Sequence, residues 1–142
     1  MAITFQSQLS AFNLKHKQAL RKWLSALVTG EKKIPGDINF LFTSDEELLE
    51  INIKYLNHNT YTDIITFDSS FGNTVAGDIM ISVDRVRDNA AKFKVDTAEE
   101  LHRVMAHGVM HLCGYKDKTK VQSTFMRKKE DTALKKLKSF IS

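Results

Sequence analysis

His107 and His111 stand four residues apart in a stretch whose apolar positions recur at helical spacing. At about 100° per residue the two imidazoles face the same way, one turn above the other, and two imidazoles so placed can share one metal ion. Alone the pair is a weak motif, because histidine near a helix C-terminus is also favoured by the helix dipole. The segment that follows, Leu112-Cys113-Gly114-Tyr115-Lys116-Asp117, strengthens it. Gly114 permits the left-handed backbone that ends a helix and reverses the chain, so Asp117 can return toward the exposed helix face. Three side-chain ligands with a fourth position left for water make a catalytic rather than a structural zinc site. Zinc held in this way acidifies its bound water and polarises a phosphoryl or carbonyl oxygen. His107 and His111 are therefore the candidate catalytic residues, and His107, His111 and Asp117 the candidate ligands of one Zn2+. Nickel or another divalent ion fits the same donors, since two imidazoles and a carboxylate do not select zinc uniquely. A zinc metallopeptidase would read His-Glu-x-x-His with the glutamate as general base. Gly108 stands where that glutamate would be, which argues against a peptidase and would leave the helix face beside the metal open to a bulky substrate.

The elements that position these residues read as one α+β domain spanning 1–142. Leu14 through Val28 has Leu20, Trp23, Leu24 and Leu27 on one helical stripe, and Gly30 with Pro35-Gly36 ends that unit. Asp37 to Phe42 reads as a strand. Ser44 with Glu47 spells a capping box for a helix to about Tyr55. Residues 56–62 have loop composition, and Asp63–Phe67 and Val75–Val83 read as two strands of a hairpin turned by Asp68 to Asn73. A helix follows to about Lys94, with Val86, Ala90 and Phe93 on one side. Thr97 with Glu100 repeats the capping-box pattern for the helix that carries the histidines, with Leu101, Val104, Met105 and Val109 inward, and that helix must stop by Gly114. A last helix from Val121 to Ser139 turns Phe125, Leu134 and Leu137 to the core and a Lys/Arg-rich face outward. His16 and His102 read as structural, Met110 and Met126 as core, and Tyr115 as packed under its loop or stacked on a base. Asp63 and Asp78 either line the cleft or pair with backbone at a strand end.

Composition excludes several classes. The chain has 142 residues, 42% hydrophobic, with one cysteine and one proline. A domain of that length buries roughly 68% of its unfolded surface, so a metal here has a functional rather than a stabilising reason. Cys113 cannot form an internal disulfide, no signal-peptide pattern opens the chain, and no apolar stretch approaches the ~20 residues of a membrane span. No glycine-rich loop cradles a nucleotide cofactor. A cytoplasmic location follows as the expectation. The net charge of +4 is unevenly spread. Residues 1–35 carry six Lys/Arg against Glu31 alone, residues 118–142 carry eight against Glu130 and Asp131, and the middle is acidic. The basic ends are either the wet faces of amphipathic helices or a surface for a polyanion such as RNA.

His107-Gly108-Val109-Met110-His111-Leu112-Cys113-Gly114-Tyr115 closely resembles the signature of the YbeY family of endoribonucleases that act in ribosomal RNA maturation, His-Gly-x-Leu-His-Leu-x-Gly-Tyr-Asp-His. Thr62-Asp63-Ile64-Ile65-Thr66-Phe67 resembles that family's Thr-Asp-Val-Leu-Ser-Phe strand, and Gly77-Asp78-Ile79 with Ser82 resembles its Gly-Asp-Ile-x-Ile-Ser strand. The order and spacing suit the family from about residue 37 to 117. The resemblance implies a mixed four-stranded sheet packed with helices, a zinc-hydrolase-like metal helix and one zinc ion. It also implies a metal-dependent, single-strand-specific endoribonuclease in maturation of the 3′ end of small-subunit ribosomal RNA and ribosome quality control, with ribosomal RNA and the ribosome as partners.

Two departures accompany it. Asp117 stands at the family's third histidine and Lys116 at the preceding aspartate. A carboxylate can ligate zinc, so the expectation is a site with one more negative charge, a less acidic bound water and weaker Lewis acidity, partly offset by Lys116 and Lys118. Leu56 stands where the family places an arginine suited to gripping phosphate. His58 and Asn59 could supply polar contacts from the same loop, or His58 is simply solvated. The candidate RNA-binding residues are thus His58, Asn59, Lys116 and Lys118. The rival to the nuclease reading is a ribosome-associated RNA-binding factor that keeps the fold and metal but cuts poorly.

Overall fold

The computed structural model describes residues 2–141, so positions 1 and 142 of the expected domain lie outside the described residues. Alternation of apolar and polar side chains builds the sheet. In β2 (Ile34–Thr43), Ile38, Phe40 and Phe42 are buried and Asn39 is exposed; in β4 (Thr74–Ser82), Val75, Ile79 and Ile81 are buried and Asp78 is exposed. The two pair in parallel with Phe40 opposite Ile79 and Phe42 opposite Ile81, so their buried residues form one apolar face. β3 (Ile64–Asp68) joins β4 antiparallel through the expected hairpin, and β1 (Ile3–Ser7) pairs parallel with the other edge of β2. The order β1-β2-β4-β3 is a mixed four-stranded sheet.

Sequence pattern singled out no residues for β1. Only Ile3 and Phe5 alternate there, and the strand exists because β2 offers it a parallel partner from Ile38 to Phe42. Pro35-Gly36 does not end a unit either. It lies inside β2 at a register irregularity between Pro35 and Ile38, the kind of position where a strand tolerates proline.

The helices cover both faces. On the face of Ile79, α1 (Lys17–Gly30), α4 (Thr97–Leu112) and α5 (Lys120–Ile141) pack together, and the indole of Trp23 in α1 donates to the Ala133 carbonyl of α5 at 2.8 Å. On the opposite face α2 (Asp45–Leu56) lies against β3 and β4, where Tyr55 meets Phe67 edge-on. α3 (Val83–Phe93) leaves β4 directly and packs on α4.

Caps explain where these helices start. The Ser44 hydroxyl accepts from the Glu47 amide at 3.2 Å, the N-cap half of the expected capping box, and the Ser82 hydroxyl accepts from the Arg85 amide at 3.1 Å. Helix starts and inward faces need correction. α1 begins at Lys17 rather than Leu14, because His16 takes a left-handed backbone with φ 60°. Thr97 is the first residue of α4 rather than its cap; Asp96 holds the cap position without a side-chain bond, and Glu100 is buried instead of reaching back. Phe93 and Phe125 are about half exposed, and Leu134 is only half-buried. The buried stripe of α5 is Met126, Glu130, Ala133 and Leu137, which puts a carboxylate into the core side of a lysine-rich helix.

Candidate metal centre

Leu101, Val104, Met105 and Val109 anchor α4 against the sheet and its neighbouring helices, which leaves His107 and His111 on its free side. Gly108 separates the expected from the observed geometry. A Cβ there would lie 2.9 Å from Ile64 Cδ1 and 3.0 Å from Ile79 Cγ2, so the glycine faces the sheet and allows close approach of α4. It does not open the metal side to substrate, because position 108 lies about 100° around the helix from position 107.

The helix ends as expected. Gly114 has φ 107°, its amide donates to the His111 carbonyl at 3.0 Å, and the Tyr115 amide donates to the Met110 carbonyl at 3.1 Å. This reversal carries Asp117 back over the helix face. Its Oδ2 lies 3.1 Å from His107 Nε2 and 3.4 Å from His111 Nε2, and one donor atom from each of the three residues falls within 4.8 Å of the others, a cluster that could hold a metal ion.

Both imidazoles are oriented from behind. His107 Nδ1 meets Glu130 Oε2 at 2.6 Å, and His111 Nδ1 meets the Tyr115 carbonyl at 2.9 Å. A proton shared at each Nδ1 leaves the Nε2 lone pairs aimed at the space beside Asp117, the arrangement that metal-binding histidines use. Glu130 is in turn held by Arg103, whose guanidinium donates to Oε1 at 3.0 Å and to Asp131 at 2.7 Å. Burial alone would lower the His107 pKa, but the Glu130 hydrogen bond and the surrounding carboxylates leave it raised. The donor set, its spacing and its rear supports fit a divalent cation of the zinc type.

The surroundings are acidic within a basic chain. A cavity of about 300 Å3 beside His107 is walled by Asp63, Glu100, Arg103, Arg127 and Glu130. Burial pushes the Asp63 carboxyl up despite the nearby His107, and burial with the neighbouring Asp63 pushes Glu100 up. A second concavity of about 420 Å3 opens from His107 and Asp117 along Ser123, Thr124, Arg127 and Lys128.

The other expected residues stand elsewhere. Asp63 lines the site, but Asp78 is exposed on the opposite sheet face, where it accepts from Asn39 at 3.0 Å. His58 and Asn59 are exposed in the loop after α2, a loop held by the buried Asn52 side chain donating to the Thr60 carbonyl at 2.9 Å. Neither lines the two concavities. Lys116 and Lys118 flank Asp117 and are exposed. Tyr115 bonds Glu31 through its hydroxyl and packs beside Phe125. His102 is a structural residue against Trp23, with its pKa lowered to about 4 chiefly by burial. Glu130 and Arg103 escaped the sequence reading, although an acid on the apolar stripe of α5 was a visible signal for the first.

The sequence profile of Endoribonuclease YbeY matches residues 2–138. The chain belongs to that family. An Endoribonuclease YbeY of Flavobacterium johnsoniae is 53% identical over 120 residues, covering 84% of this chain and 86% of the relative. That of Flavobacterium psychrophilum is 49% identical over 133 residues, covering 94% of each chain. The solution structure of a Thermotoga maritima protein superposes with a TM-score of 0.65 at 25% identity, covering 96% of this chain and 89% of that one. Membership in the YbeY family thus agrees with the mixed sheet, the histidine helix and the returning loop. Among the described residues no helix is long and apolar enough to cross a membrane.

Proposed function

We propose that this protein is a zinc-dependent endoribonuclease that cuts single-stranded RNA and acts, in the cytoplasm and in association with the ribosome, on the 3′ end of small-subunit ribosomal RNA. The whole chain, 1–142, works as one domain in this reading. The convergence of His107, His111 and Asp117 on one point, in a chain of the Endoribonuclease YbeY family, carries the proposal.

His107 and His111 hold the ion through Nε2 and Asp117 holds it through a carboxylate oxygen. When bound, zinc supplies a Lewis acid that polarises a phosphoryl oxygen. Glu130 keeps the His107 ring turned toward the ion, and the Tyr115 carbonyl does the same for His111. Arg127 and Lys128 stand on the groove that leads from the ligands and neutralise the phosphates that enter it. Lys116 and Lys118 add positive charge beside Asp117, and His58 and Asn59 contact the RNA from the loop after α2. The exposed lysines of α5 hold the backbone by charge, so affinity for single strands falls with salt at a slope of about −0.7 per phosphate bound.

The test is cleavage of a single-stranded 3′-end ribosomal RNA substrate with and without chelator, beside His111→Ala. Cuts that disappear with chelator and in His111→Ala are expected. RNA binding without metal-dependent cuts would refute the nuclease reading in favour of a binding factor. Zinc content near zero in carefully purified protein, unaltered by Asp117→Ala, would refute the ligand set.

A further inference from the structure

α5 also borders a third cavity, whose lining shares only Lys128 with the groove at the metal centre. It measures about 410 Å3 and lies between the C-terminal end of α1 and α5. That is within the range of about 300–1,000 Å3 common for small-ligand sites, which are apolar with a few charged groups. Leu27, Met110 and Ala133 form an apolar floor, and Phe125 stands at the rim about half exposed. The ring packs on one side against Tyr115 and leaves the rest of its surface to the cavity mouth.

Charge adds a second observation. Lys128, Lys129 and Lys136 line the cavity, and its one acid, Glu31, is already engaged by the Tyr115 hydroxyl and by Lys129 at 2.7 Å. Among the described residues Lys128 and Lys136 have no carboxylate partner, so the cavity presents two uncommitted cations. The aromatic rim is also built: the Phe125 and Tyr115 ring centroids are 5.7 Å apart, and the Lys129 ammonium lies 4.9 Å from the Tyr115 centroid.

The cavity is tied to the metal centre at two points. Lys128 lines both this cavity and the groove that opens from His107 and Asp117. Tyr115, which supports the rim, gives its carbonyl to His111 Nδ1. Lys128 is thus the one lining residue that the cavity and the groove share, and it joins the two along α5.

We propose that this cavity binds one nucleotide of single-stranded RNA flanking the cleaved phosphate, with its base stacked on Phe125 and its phosphate on Lys128 and Lys136. This deepens the nuclease reading and rests on it. The exposed ring suits a base and the paired cations suit a phosphate, and stacking on an aromatic tolerates any base.

The experiment measures binding of a fluorescein-labelled single-stranded oligoribonucleotide to the full protein in chelator, with zinc-dependent cleavage followed in parallel. Phe125→Ala and Phe125→Leu are expected to weaken binding about five- to ten-fold, the lower part of the range for a stacked base, while Phe125→Trp retains it. The new indole should be quenched by RNA against an unchanging signal from the fully buried Trp23. Lys128→Ala with Lys136→Ala should make the salt slope shallower by about 0.7 for each phosphate no longer neutralised. Circular dichroism confirms that each variant is folded.

If the wild type cleaves but the Phe125 variants bind RNA as it does, the subsite is overturned while the nuclease reading stands. If only the lysine variants weaken, or an acidic peptide competes as well as RNA of equal charge, the cavity is a plain anion surface and the proposal fails. A wild type that neither binds nor cuts refutes the nuclease reading and the subsite together.

Discussion

Replacing Glu130 by alanine removes the carboxylate that holds His107 Nδ1 at 2.6 Å and Arg103 Nη1 at 3.0 Å. Its side chain is only 7% exposed, so these partners lose a buried acceptor that water does not readily replace. Arg103 keeps Asp131 at 2.7 Å, and Arg127, 58% exposed, returns to solvent. The stability cost therefore falls below that of breaking a fully buried pair, at about 2–3 kcal/mol. The more specific loss is at His107, whose ring is no longer held with Nε2 toward Asp117. Loss of such a rear support weakens metal binding by about 10–100-fold, or about 1.4–2.7 kcal/mol. Glu130→Gln keeps an acceptor for His107 but no charge for Arg103, so its zinc affinity should fall less than that of the alanine variant. Competition with a chromophoric chelator measures the affinity, and urea denaturation in chelator measures the stability separately. A folded Glu130→Ala protein with wild-type zinc affinity would refute the claim that Glu130 orients His107.

Three further outcomes follow from particular contacts. Gly108→Ala places a Cβ against Ile64 and Ile79 at 2.9 and 3.0 Å and should destabilise by about 1–2 kcal/mol after the gain in helix propensity, read by urea denaturation; a more stable variant would contradict the tight seat of α4. His102, with its pKa at about 4 against 6.5 in the unfolded chain, stays neutral in the fold while the unfolded chain takes up a proton. Stability therefore rises with pH across that window and is lost as pH falls through it, by up to about 3 kcal/mol, and His102→Phe should flatten the denaturation profile between pH 4 and 6.5. Cys113 is buried, and burial with the nearby Glu31 pushes its thiol up to about 11, so iodoacetamide at pH 8 should label it far more slowly in the folded protein than in urea; equal rates would place the thiol at the surface.

The local signals in this chain were those that depend on near neighbours. Ser44 with Glu47, the hairpin turn before Thr74, the Gly114 reversal and the i,i+4 histidines each involve residues a few positions apart, and each stands where the sequence put it. Asp117 belongs with them, because the turn at Gly114 brings it back over the same helix. Local reading failed where a distant partner decides the outcome. β1 forms only because β2 accepts it, and a pair of alternating apolar residues carries too little signal to announce that pairing. Phe125 looked like core, but α5 meets α1 and α4 through Met126, Glu130 and Ala133, one position around the helix.

The convergence of His107, His111 and Asp117 and the family motifs were thus legible in the sequence alone, since helix periodicity and glycine stereochemistry act within a few residues. Tertiary structure decided what surrounds them: the turn of His107 by a glutamate 23 positions away, the facing of Gly108 into the sheet, and the exposure of Phe125 beside Lys128 and Lys136. Those features depend on which helix face packs against which neighbour, and burial energy settles that choice only when the whole chain is folded.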